Sequence, residues 1–92
     1  MTIDATLRAL GDPTRREILR ALRESGDLPA GEIAARFPIT AASVSHHLGV
    51  LKEAGLVQSE RQGRSIVYSL DTTVFQDMLE QVMRLFDVGR AR

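Results

Sequence analysis

The stretch ITAASVSHHLGVLKEAGLV, residues 39–57, most narrows what this chain can fold into. Val44, Leu48 and Leu51 recur at helical spacing and form one apolar stripe. Ala42, His46 and Gly49 fall on the opposite side, with Ser43 and Ser45 on the shoulders. Thr40 stands where an N-cap is needed for a helix over 41–54, and Ala54-Gly55 stops it. Leu56-Val57 then begins a strand with no linker between. The stripe must be buried on other helices, while the opposite face is slim and hydrogen-bonding. No acid occurs from Ile39 to Lys52. A helix with a dry back and a small, acid-free front has the dimensions to enter a DNA major groove.

The flanking residues supply the rest of a small helical domain. Ile3, Leu7 and Leu10 make a first apolar stripe, ended by Gly11. Asp12 is a good N-cap and Pro13 suits the first position of a second helix, with Ile18, Leu19 and Leu22 as its core side. Ser25-Gly26-Asp27 ends that helix, and a short third helix follows over 29–36, with Ile33, Ala34 and Phe37 inward. Small Ala34 and Ala35 let the third and fourth helices cross closely, as a helix-turn-helix requires. Residues 56–61 and 64–70 read as strands about Gln62-Gly63, with Ile66, Tyr68 and Leu70 inward. Asp71-Thr72-Thr73 caps a last helix reaching residue 87. The expected fold class is mainly α with a β-hairpin wing: a winged helix-turn-helix of four helices, a hairpin and a fifth helix. The 92 residues form one DNA-binding domain, with the helix-turn-helix over about 29–54 and the wing over about 56–70.

Composition mainly excludes. With no cysteine, disulfides, thiolate metal sites and thiol redox sensing are absent. No apolar run reaches transmembrane length and no signal peptide is visible, so a cytoplasmic protein without membrane insertion is expected. Twelve basic residues balance twelve acidic ones, so the distribution of charge carries the information. An acid-free middle stands beside an acidic tail of Asp71, Asp77, Glu80 and Asp87 against Arg84.

Three segments resemble the ArsR-type family of small bacterial winged-helix repressors: LGDPTRR over 10–16 with Ile18-Leu19, VSHHL over 44–48 with Leu51 and AGLV over 54–57, and RQGR over 61–64 with VYSL over 67–70. The segment LPAGEIA over 28–34 is most similar to the autorepressor (SdpR-type) subgroup. The resemblance implies a homodimer built by the first and last helices, about 2–10 and 73–87, DNA binding by the fourth helix and wing, and repression. Many such relatives release DNA on binding metal. Their metal-sensing cysteines in the third helix are replaced here by Pro29 and Gly31, and the last helix lacks the histidines of the other known site. No metal and no cofactor is expected.

The expected DNA-contacting set is Thr40, Ala42, Ser43, Ser45, His46 and Gly49 on the fourth helix, and Arg61, Gln62 and Arg64 on the wing. Serine and histidine donate to base edges or phosphates, and an alanine methyl meets a thymine methyl. A merely solvated face would more often carry Glu, Lys and Gln. Ala41 and Ala42 make direct base readout sparse. His46 and His47 point about 100° apart on a helix, so they do not chelate one metal together. His46 points outward; His47 is read as a structural histidine bonded to a neighbouring helix. Ser43 and His47 are four apart, but no cleft, oxyanion loop or orienting acid accompanies them, so no enzyme is expected. Arg15 and Arg16 are open between flanking phosphates and structural pairs such as Arg16 with Asp12, or Arg20 with Glu17 and Glu24.

The last helix has a wider apolar face than so small a domain buries alone. Val74, Met78, Val82 and Leu85 are expected inward, while Phe75, Leu79 and Phe86 join Ile3, Leu7 and Leu10 at a dimer interface. The partners are thus double-stranded DNA and a second copy, with room for an unidentified protein or small-molecule inducer. Two rival readings remain: a protein-interaction module or partner-sequestered regulator on the same scaffold, and a metal sensor with only His46 and His47 as nitrogen ligands.

Overall fold

A computed structural model of the chain describes residues 3–86. The order is α1 (Ile3–Leu10), α2 (Pro13–Ser25), β1 (Leu28–Pro29), α3 (Ala30–Ala35), α4 (Ala41–Glu53), β2 (Val57–Gln62), β3 (Ser65–Leu70) and α5 (Thr73–Leu85). The expected winged helix-turn-helix is present, with one addition. Leu28-Pro29 pairs antiparallel with β3, Leu28 opposite Tyr68 and Pro29 opposite Val67, giving a three-stranded sheet in the order β1-β3-β2. The third helix, expected from residue 29, therefore starts one residue later. Two residues are too few to show strand alternation, and a proline is tolerated in a sheet only at an edge, where this one lies.

The helix boundaries follow from explicit caps. Asp12 accepts from the Arg15 N–H at 3.0 Å, Pro13 opens α2, and Gly26 closes it at φ 79°. Thr40 Oγ1 accepts from the Ser43 N–H at 3.0 Å and starts α4. At its end Leu56 N–H reaches the Leu51 carbonyl at 3.0 Å around Gly55, φ 78°, a left-handed position suited to glycine. The strand β2 starts at once. Asp71 Oδ1 accepts from the Thr73 N–H at 3.0 Å just ahead of the N-cap residue Thr72, whose own side chain makes no cap bond.

Ile18, Leu22, Leu28, Ile33, Val44, Leu48, Leu51, Leu56 and Val57 form one buried cluster between the helices and the sheet. The α4 stripe is thus buried as its spacing required, and each core leucine or isoleucine is worth about 1.5–3 kcal/mol of burial. The helix α5 packs on α1, where Thr6, Ala9 and Met78 are buried.

Several inward expectations change. The hairpin turn is Gly63-Arg64, one residue beyond the expected Gln62-Gly63, because Gln62 pairs with Ser65 and Gly63 takes φ 64°. Ile66 lies on the same sheet face as Tyr68 and Leu70 but is 39% exposed, since the hairpin tip extends past the core. Leu85 is 71% exposed, not inward: α5 runs beyond the surface that α1 covers. Val74 and Val82 are half-buried. Asp87 and the expected helix end at residue 87 lie outside the described residues, as does residue 2.

Candidate nucleic-acid interface

The buried stripe of α4 fixes which way its other face looks. Thr40, Ala42, Ser45, His46 and Gly49 are exposed and Ser43 is half-buried. Gly49 sits mid-helix with open space around it: a Cβ there would meet nothing within 4 Å. Glycine lowers helix stability by about 0.8–1.0 kcal/mol relative to alanine. No internal contact requires that loss, so any benefit comes from what approaches this face from outside.

Arg61, Gln62 and Arg64 are exposed at the hairpin tip. Arg61 lies opposite Ile66, hence on the sheet face that carries Tyr68. Arg64 occupies the turn itself. Ser45 of α4 and Arg64 line one trough of about 290 Å³, together with Gly31, Ser65, Ile66 and Tyr68. No carboxylate lines it. The fold thus brings Ser45, on the shoulder of the α4 front, and Arg64 of the wing tip to one concave surface. Gly31 and Tyr68 were not among the residues anticipated from sequence. Gly31 carried the same signal as Gly49, a helical glycine with nothing within 4 Å of its Cβ position. Tyr68 carried none, because its strand pattern points equally to the core.

The two histidines part as their spacing requires. His46 is exposed, while the His47 side chain is 14% exposed and faces α2. Arg15 donates through Nε to the Ala9 carbonyl at 2.7 Å and through a terminal nitrogen to the Arg8 carbonyl at 3.0 Å. Its other terminal nitrogen lies 3.2 Å from His47 Nδ1. A guanidinium has no acceptor, so Nδ1 receives that bond and the proton of a neutral His47 sits on Nε2. Arg15 therefore clamps the end of α1 to α4, which answers the question its position in the first turn of α2 raised. Arg16 does not pair with Asp12; it donates to the Leu10 carbonyl at 2.7 Å. Arg20 pairs with Glu17 at 3.4 Å, and Glu24 pairs with Arg23 at 3.3 Å.

Two aspartates hold this frame. The Arg15 N–H bond lowers the Asp12 pKa below the ordinary aspartate value, against a smaller desolvation effect, with the nearby His47 and Arg15 side chains adding to the fall. Asp71 is lowered first by the Thr73 N–H and then by Gln58 Nε2, which reaches Asp71 Oδ2 at 2.7 Å. Each carboxylate is held ionised at a helix start.

The residues expected at a dimer interface differ in exposure. Leu7 is exposed and Ile3 and Leu10 are half-buried. On α5, Leu79 is 45% exposed, and Phe86, just past its end, 75%. Phe75 is half-buried and packs against the chain's own core. Among the described residues no helix is long and apolar enough to cross a membrane, and no three His, Cys, Asp or Glu side chains gather as a metal set.

Known proteins share this arrangement. A helix-turn-helix domain family model matches residues 10–60. The chain is 45% identical over 82 residues to the transcriptional repressor SdpR of Bacillus subtilis (strain 168), covering 89% of this chain and 90% of that protein. Among solved structures, an ArsR-like transcriptional regulator from Rhodococcus sp. RHA1 superposes with TM-score 0.82 at 31% identity, over 92% of this chain and 79% of the other. A homodimeric winged helix-turn-helix DNA-binding domain from Mycobacterium bovis gives TM-score 0.73 at 27% identity, over 89% and 77%.

Proposed function

Because the chain belongs to the ArsR-type family of winged helix-turn-helix regulators, we propose that it is a homodimeric, sequence-specific DNA-binding repressor in which residues 1–92 serve as one DNA-binding domain. The observation that carries this reading is the trough shared by Ser45 of α4 and Arg64 of the wing, which no carboxylate lines. The front of α4 enters the major groove, where Ser43, Ser45 and His46 meet base edges or phosphates and Gly49 permits close approach. Thr40 lies at the start of that helix. Arg61, Gln62 and Arg64 follow the flanking backbone or minor groove, where negative potential concentrates. Two copies joined through α1 and α5 present their α4 helices about one helical turn (~34 Å) apart. Occupying a promoter then blocks transcription. The chain's own promoter is proposed as one target. The family is one of transcription regulators, not an enzyme class, and the proposed place of action is the cytoplasm.

Footprinting of the purified chain on its own upstream DNA tests the proposal. A protected two-fold site with salt-dependent affinity is expected. A stable dimer that fails to shift this DNA even at low salt would instead favour a protein-interaction module, for which the exposed Leu85 and Phe86 are the supporting feature.

A further inference from the structure

A second concavity, of about 320 Å³, lies between α2, the base of the hairpin and the start of α5. Leu10, Leu19, Leu70 and Phe75 line it, and each packs on the core while remaining only partly covered. Three cations stand around it: Arg16, Arg20 and Arg23. With Leu19 they occupy positions i, i+3, i+4 and i+7 of α2, hence one helical face. The acid among the lining residues is Asp71, and its oxygens already accept from Gln58 at 2.7 Å and Thr73 at 3.0 Å.

The fold itself calls for Arg16, through its 2.7 Å bond to the Leu10 carbonyl, more than for Arg20 and Arg23. Like charges three and four residues apart disfavour a helix, and Arg16 also lies near the α2 N-terminus, where the helix dipole disfavours a cation. Arg20 and Arg23 pair with Glu17 and Glu24, but in both pairs each side chain is more than half exposed. Such pairs are weak and exchange readily for a better-placed anion. Arg16 is held at the rim by its bond to the Leu10 carbonyl. An apolar floor under a cationic rim, at the lower end of the volumes typical of small-molecule sites, matches a particular chemistry.

We propose that this groove binds an amphipathic carboxylate of medium chain length. The apolar body lies against Leu19, Leu70 and Phe75, and the carboxylate replaces Glu17 and Glu24 at Arg20 and Arg23. Because α2 packs on α4 on its other side and Phe75 begins α5, an occupant alters how α5 sits relative to α4. The binding stands apart from the DNA-binding reading; its effect on operator affinity rests on it.

Decanoate, below its micellar concentration, is the probe, with 1-decanol as its neutral counterpart. Both are titrated into the full chain without DNA and followed by amide chemical shifts. The expected result is saturable shifts centred on Leu19, Leu70 and Phe75, with decanoate binding about tenfold tighter than decanol. The exposed double substitution Arg20→Gln/Arg23→Gln removes that preference, and Leu19→Trp fills the groove and lowers binding of both. Equal affinity for the two probes overturns the proposal. So do shifts centred on Leu79 and Met83, or sedimentation showing that decanoate binds only as the dimer dissociates, which would make a second copy the occupant. A separate shift assay on upstream DNA, with and without decanoate, reads the effect on DNA binding. Loss of DNA binding in the probe-free lanes would count against the repressor reading alone.

Discussion

At the scale of single residues, stability and proposed function pull in opposite directions at Gly49. Gly49→Ala is expected to stabilise the fold by about 0.5–1 kcal/mol in urea unfolding, because it raises helix propensity and meets no neighbour. The same methyl is expected to weaken operator binding. Unchanged affinity would mean that the α4 front does not come close to DNA. Ser45 and Arg64 share a trough, and the proposed function gives them different work. His46→Ala or Ser45→Ala should reduce discrimination between operator and random DNA by about 1 kcal/mol. Arg64→Ala should weaken both evenly and reduce the salt slope by about one unit. A salt slope that does not move would take the wing off the phosphates. Arg15 is the contrasting case. Arg15→Met breaks its bonds to the Ala9 and Arg8 carbonyls and to His47, so a stability loss of about 1.5–3 kcal/mol is expected with the salt slope intact.

At the scale of elements, acid should act first on the helix starts. Asp12 and Asp71 have lowered folded-state pKa values, so their stabilisation is complete above the ordinary aspartate value of about 3.9. It is lost as pH falls through the lower folded values. Asp71→Asn should therefore reduce stability at neutral pH and flatten its decline in acid, as followed by helical circular dichroism. If wild type and variant decline in parallel, Asp71 is not an acid-sensitive latch. These elements also show what sequence makes legible. The starts of α2 and α4 were readable because Asp12-Pro13 and Thr40 are local devices whose bonds close within three residues. The α4 stripe was readable because Val44, Leu48 and Leu51 recur at helical spacing. The strand β1 was not, since its evidence is the pairing of Leu28 and Pro29 with residues far along the chain. The exposure of Ile66 and Leu85 depends on where the core stops, which no local pattern encodes. The trough was half legible: Ser45 and Arg64 were identifiable singly, but their meeting is a property of the sheet.

At the scale of the whole molecule, α5 is the element whose own chain covers it least. Leu79→Glu should leave the folded protomer within about 0.5 kcal/mol of wild type, since Leu79 is exposed there. It should shift sedimentation from dimer to monomer and lower operator affinity sharply through loss of the second half-site. A variant that stays dimeric would move the interface elsewhere. The join at Gly55 has a different consequence at this scale. With α4 passing into β2 through a single tight turn, and β3 held between β1 and β2, the helix proposed to read the groove and the wing are two jaws of one caliper. In the proposed homodimer, give is therefore expected at the joint between copies. Operators should accordingly tolerate an altered gap between half-sites better than an altered gap within one.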